Sequence, residues 1–256
     1  YFSWLSNVMQ GDFGESQIQI APVWELVVER LPVTLELLIL SQLLALTIAI
    51  PAGIYSALKA DKTADRLIGT IVFGVVAMPP FLMAILFVFV FGVTLQILPA
   101  SGYIPIEEGL YQNLWHFILP ATTIGILEVH VLLRVLRVDL IATLQEDYIA
   151  MAKAKGLSRM YILFNHALRP SSFTLVTVLG LQFGFLISGT VIIEDMFALP
   201  GMGKLILDAI DNRDAMLLQG AVTLIALAYV AINLIVDLLY GLIDPRVGEG
   251  GRGRDG

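Results

Sequence analysis

The stretch Asp139–Pro170, DLIATLQEDYIAMAKAKGLSRMYILFNHALRP, is the longest polar interval between strongly apolar blocks in this chain. Its spacing is helical: Ile141, Leu144, Tyr148 and Met151 recur at three and four residues and draw one apolar stripe. Gly156 follows Lys153 and Lys155, a common helix stop. Ser158 is placed to cap a second short helix running towards Ala167. Arg169-Pro170 is expected to end that helix, because the residue before a proline is pushed out of the α region. The stretch therefore reads as a helix–glycine–helix elbow between two membrane spans. Ordered inserts of this length are more often functional than mere connectors. The stripe fits an amphipathic segment resting on the membrane surface equally well.

Working outward, the chain of 256 residues is 57% hydrophobic and 14% charged, with mean hydropathy +0.84. Soluble domains run at about 45–50% apolar and about 25% charged, so the composition is that of a membrane protein. Five apolar runs are long enough to span: Pro32–Leu58, Leu67–Ile97, Phe117–Leu136, Phe173–Met196 and Met216–Ile243. The absence of cysteine excludes thiolate catalysis, disulfides and cysteine metal sites. His116, His130 and His166 are scattered and form no helix-spaced metal motif.

Orientation follows from lysine and arginine. One set of loops holds twelve of them, from Lys59, Lys62 and Arg66 through Arg134, Arg137 and the elbow to Arg254. The other set holds three, Arg30, Lys204 and Arg213. The elbow and the C-terminus are thus expected in the cytoplasm and the N-terminal segment outside. A chain that begins outside needs an exporting segment, so a further helix upstream of Tyr1, making six spans, is expected. The expected divisions are an extracytoplasmic interfacial segment over 1–31, a transmembrane region over 32–245 with the elbow at 139–170, and a cytoplasmic tail over 246–256.

Inside the spans a few residues are out of place in lipid. Pro51-Ala52-Gly53 is expected to kink the first span. Glu36 lies near the outer end, where snorkelling explains it. Met78-Pro79-Pro80 must break the second span, as a pathway element or a packing kink. Glu128 and His130 lie deep in the third and, with Gln182 in the fourth, are pathway candidates. Arg134 and Arg137, nearer its cytoplasmic end, are expected to snorkel. Gly180, Gly184 and Ser188 form a small-residue stripe suited to close helix packing. ALPGMGKL imitates a phosphate-binding loop, but Ala198 stands for the first glycine and Leu205 for the required Ser or Thr. No nucleotide site is readable in the chain.

At the elbow, EDYIAMAKAKGLSRMYILFNHALRP resembles the cytoplasmic signature loop of ABC-importer permeases. The likeness continues through GDFGES, RLPVTLEL, LPASGY, VTVLGLQFG, VIIEDMFALPGMGKLI and LIVDLLYGLIDPRV, nearly the whole chain. Together these are similar to the first, "B-type", permease subunit of the dipeptide/oligopeptide/nickel importers. The resemblance implies an all-α polytopic type I permease fold in a bacterial or archaeal cytoplasmic (inner) membrane, and alternating access. It implies as partners a second homologous permease, two cytoplasmic ATP-binding subunits that hold ATP and Mg, an extracytoplasmic substrate-binding protein and membrane lipid, with no nucleic acid. By it, Asp147, Tyr148, Ala150, Ala152, Ala154, Lys155, Gly156, Leu157 and His166 couple to an ATPase. Glu194, Asp195, Pro200, Gly201 and Gly203 become candidates for external docking. The family carries a proline about where Thr174 stands; here it is Pro170, so the junction is expected to bend earlier. Glu128 and His130 are unusual for the family. A nickel-chelate or other small-solute permease, and an ion-coupled secondary transporter, are the competing readings.

Overall fold

The computed structural model describes the backbone of residues 2–243, and the side chains within that range except those of 2–5, 183–189, 236–237 and 239–243. Among the described residues the chain is helical, with one isolated bridge between Glu15 and Pro22 and no strand. In order come α1 (Phe2–Met9), α2 (Val23–Leu58), α3 (Thr63–Val76), α4 (Pro80–Phe87), α5 (Leu110–Leu144), α6 (Asp147–Ala154), α7 (Arg159–Ile162), α8 (Leu168–Gly189), α9 (Val191–Met196), α10 (Met202–Asp211) and α11 (Ala215–Ile243). π-helical turns at Val88–Thr94 and Leu163–Ala167 extend α4 and join α7 to α8. Two helices, over Val23–Leu58 and Ala215–Ile235, are each long and apolar enough to cross a membrane. The broken pair Thr63–Val76 and Pro80–Thr94 adds a third if taken as one span.

Several boundaries differ from those expected. The first long helix begins at Val23, so the outer segment's short helix and the span from Pro32 are one element. A proline removes a single ladder bond, and buried Val27 and Val33 on either side of Pro32 hold the helix across it. Pro51 likewise leaves the helix assignment of α2 unbroken. The double proline does break the second run: α3 stops at Val76, Pro79 is the N-cap of α4, and Pro80 opens it. That is the helix position where a missing N–H costs nothing. The fourth run divides at Thr190 into α8 and α9.

Two compact units share the chain. One gathers Tyr1–Ser41, Pro79–Gly125 and Phe183–Ala231, and its core packs Phe13, Val23, Val27, Met202, Leu205 and Leu217. Ser16 donates to Asp214 at 2.5 Å, pinning the N-terminal turn to the start of α11. Burial alone would raise the Asp214 carboxyl, but bonds from Ser16 and the N–H groups of Leu217, Ile18 and Gln17 hold it below the usual carboxylate range. The other unit gathers Gln42–Met78, Ile126–Gln182 and Ile232–Gly256. It has a core of Ala45, Ala49, Leu132, Leu136 and Leu175, and a second of Leu140, Ile149, Ile162 and Leu163 beneath the elbow.

Candidate functional site

The elbow is built from a chain stop and a chain start set end to end. At the end of α6, Gly156 N–H donates to Lys153 C=O at 3.0 Å and Leu157 N–H to Ala152 C=O at 3.3 Å. This is the Schellman pair that closes a helix on a left-handed residue. Gly156 has φ +78°, the conformation its lack of a Cβ permits. Ser158 then caps α7, its Oγ accepting from Tyr161 N–H at 3.3 Å. Two turns of helix are thus fixed at a set angle by local hydrogen bonds.

The elbow's faces are not those of the expected stripe. Ile141 and Leu144 belong to α5, which ends before Asp147 opens α6. Within α6 the inward residues are Ile149 and Ala152, fully or nearly buried against α5 and α7. Tyr148 and Met151 face outward, 45% and 59% exposed, as do Met160, Tyr161 and Phe164 beyond the glycine. Ala150, Ala154, Lys155 and Leu157 are exposed with Asp147. Ala152 therefore fills the subunit's own core and does not thin an outer surface. Substituting a charge there would disturb the elbow itself.

Pro170 does not end the second helix. It is the third residue of α8, which continues from the π-helical turn Leu163–Ala167. A proline ring crowds the carbonyl four residues back, here that of His166. The wider π turn just before it suits the ring, and the His166 carbonyl lies 3.5 Å from the Tyr148 hydroxyl, a long contact. The His166 ring meets Tyr161 edge to face at 5.7 Å.

The other constructed feature is a clamp around Glu194. Its carboxylate is fully buried and accepts from Thr34 Oγ1 (2.7 Å), Thr190 Oγ1 (3.0 Å), Gly203 N–H (2.6 Å) and Lys204 N–H (3.2 Å). Met202 N–H donates to Thr34 Oγ1 at 2.8 Å. The first N–H groups of α10 are therefore all satisfied, and a negative charge sits where the helix dipole favours one. The phosphate-loop look-alike does end in an anion-binding helix start, filled by the chain's own glutamate. Glu194, Gly201 and Gly203 are buried in this clamp and present no external surface. Pro200 is half-buried, and Asp195 is exposed in an ion pair with Lys204 at 3.0 Å.

Residues 49–249 match the family described as binding-protein-dependent transport system inner membrane component. The chain belongs to that family. It is 36% identical over 247 residues to a probable peptide ABC transporter permease, y4tP, of Sinorhizobium fredii, covering 96% of this chain and 79% of the relative. It is 36% identical to the glutathione transport system permease GsiC of Escherichia coli K12, over 96% of this chain and 78% of that one. Among solved structures, an inward-facing conformation of the MetNI methionine ABC transporter superposes with TM-score 0.71 at 14% identity, covering 86% of this chain and 96% of that one. That likeness gives the fold, an all-α one found in ABC importers, while the family match and the curated relatives make the chain a membrane permease component.

The polar residues expected within spans sort into separate environments. Glu128 accepts a hydrogen bond from Gln182 of α8. His130, two residues on, turns to another side of α5 and lines a cavity. Glu36 is partly buried and accepts from Asn113 at 3.4 Å. Met78 is half-buried, and Pro79 and Pro80 are exposed. Gly180 is buried in α8, while the side chains of Gly184 and Ser188 lie outside the described residues.

Arg137 has a protein partner as well. Its Nε and Nη2 grip the two oxygens of Asp65 at 2.7 and 2.6 Å, and Ser56 Oγ and Asp61 N–H complete the carboxylate's shell. Asp65 was missed in the sequence because a carboxylate in a helix's first turn is ordinary. The clue was an arginine at a span's end with an acidic residue in the neighbouring loop. Arg137→Gln is expected to destabilise the subunit by about 2–3 kcal/mol, at or below the low end for a broken buried pair because Arg137 is partly exposed. The Asp65→Asn, Arg137→Gln double variant should lose much less than the two single losses added. Chemical or thermal unfolding in detergent reads the cycle, and strict additivity would mean that the pair is not coupled.

Proposed function

We propose that this permease forms half of the translocation path of an ATP-driven importer for peptides, delivered by an extracytoplasmic binding protein. Two cytoplasmic ATPases would close and open against each other, and the elbow would carry that motion into the membrane helices. The chain would supply no ATP chemistry of its own. The carrying observation is the elbow: a hydrogen-bonded, angle-fixed pair of short helices whose outward face is apolar and aromatic. Such a face is costly in water and suits a groove on a partner. Peptide as solute is supported by relatives named as peptide and glutathione permeases. Asp147, Tyr148, Ala150, Ala154, Lys155 and Leu157 would meet the ATPase, with Ala152 and His166 supporting them from behind.

The same reading puts the elbow and the residues after Pro245 in the cytoplasm, with Arg30 and Lys204 outside, in an inner membrane. The chain has no native cysteine, so Lys153→Cys and Lys204→Cys can be labelled singly. In intact cells an impermeant maleimide should label position 204 and leave 153 unlabelled until the membrane is opened. Labelling of 153 from outside would reverse the topology.

Uptake by proteoliposomes holding the assembled complex tests the function. Dipeptide or oligopeptide accumulation that requires ATP and the binding protein is the expected result. Accumulation of nickel chelates alone would move the solute assignment. Accumulation driven by an ion gradient without ATP would replace the mechanism with that of a secondary transporter.

A further inference from the structure

We propose that a cavity between α3 and α5, closed at its base by the end of α2, holds the anionic headgroup of an inner-leaflet phospholipid. The cavity has a volume of about 330 Å3 and lies wholly within the second unit. Its polar wall carries His130, Arg134 and Arg137 at one face of α5, spaced by four and three residues. Its apolar wall is Val72, Phe73 and Leu133.

The charge count decides what the cavity wants. Asp65 is the one acidic group lining it, and its two oxygens are already taken by Arg137, Ser56 and the Asp61 N–H. Arg137 and Asp65 therefore neutralise each other. Arg134 forms no ion pair among the described residues and is exposed. A guanidinium beside an imidazole, facing a space with no spare carboxylate, is a site for an anion carrying several acceptor oxygens.

The occupant also needs an apolar part. Phe73, at the cavity's rim, is 77% exposed. With Val72 and Leu133 it gives an apolar wall along which an acyl chain can leave a headgroup lodged at Arg134. Gly69 opens the wall, since a Cβ built there meets nothing within 4 Å. Lys59, Lys62 and Arg66 lie in and beside the α2–α3 connection with one further carboxylate, Asp61, so the site sits in a net basic region. Basic pockets between helices on the cytoplasmic side collect acidic headgroups. A carboxylate at the end of a transported peptide offers part of the same chemistry, but it does not use the exposed apolar wall. The inference needs the membrane placement and the cytoplasmic orientation of this region, not the peptide assignment.

The test is native mass spectrometry on the purified transporter complex, delipidated in detergent and then given equal phosphatidylglycerol and phosphatidylcholine. The wild type should retain phosphatidylglycerol in preference. Arg134→Gln should lower that retention roughly fivefold, the factor that one basic contact to an acidic lipid is worth. Gly69→Leu, which fills the opening and leaves the charges in place, should lower it as well. Arg213→Gln, far along the chain on the expected opposite side, should change nothing. Thermal melting confirms that each variant is folded; Arg134 anchors no ion pair whose loss would unfold the subunit. Equal retention of both lipids by the wild type, or wild-type retention by both cavity variants, overturns the site. Unchanged lipid retention in Arg134→Gln, together with lost discrimination between free-acid and amidated peptides in uptake, assigns the cation to solute and also overturns it.

Discussion

Glu194→Ala is expected to lower the stability of the purified subunit by about 4 kcal/mol, at the upper end for a point substitution. Four donors converge on that carboxylate: the hydroxyls of Thr34 and Thr190 and the N–H groups of Gly203 and Lys204. A buried donor left without an acceptor costs about 1–3 kcal/mol. Thr34 can still serve Met202 N–H, and water entering the vacated space recovers part of the rest, so the sum is not additive. Glu194→Gln keeps the shape and one acceptor oxygen but turns an NH2 group towards donors, and should cost about half as much. Gly203→Val should be at least as severe as the alanine variant. A Cβ there lies 2.5 Å from the Val191 Cα, main chain that cannot swing aside. The measurement is thermal unfolding in detergent, with yield of the assembled complex beside it. A Glu194→Ala subunit that melts with the wild type would mean that the clamp does not hold α10.

Gly156→Val should cut ATP-driven uptake about tenfold or more while leaving the subunit inserted. Its cause is the backbone alone: φ is +78° and a Cβ meets no neighbouring atom. A left-handed conformation costs an L residue about 1–2 kcal/mol, and a β-branched one more. Strain of about 1.4 kcal/mol shifts an equilibrium tenfold, here that between the set elbow and one with α7 displaced. Asparagine tolerates this region, so Gly156→Asn should keep most of the uptake. ATPase co-purification and substrate-stimulated hydrolysis separate failed docking from failed coupling. If the valine variant matches the wild type in both, the elbow is a surface anchor and its coupling role is wrong. Ala150→Glu, on the exposed face of α6, tests the surface without touching the core that Ala152 fills.

Much of this architecture is legible in one dimension, because lipid imposes strong local rules. A membrane-spanning run must be long, apolar and hydrogen-bonded within itself, so the helical class can be read from composition and run length. The elbow's two ends were legible for a similar reason. Gly156 and Ser158 act on backbone groups within five residues, and both do what their chemistry suggests. The double proline broke its helix on the same local grounds. Prolines 32 and 170 lie within helices that run on past them, since packing on both sides, or a π turn upstream, outweighs one missing bond.

What the tertiary structure alone decided is the partners of the buried charges Glu194 and Asp65. Glu194 looks like a surface carboxylate beside a glycine-rich loop, and Arg137 like a snorkelling cation. One proved to be the anion at the start of α10, the other half of a bidentate pair with Asp65. Thr34 lies 160 residues from Glu194, and Asp65 lies 72 from Arg137. No local pattern links residues so far apart. Burying a charge costs more than any helix propensity, so its position is set by which donors the fold brings within 3 Å, a property of packed helices and not of their order in the chain.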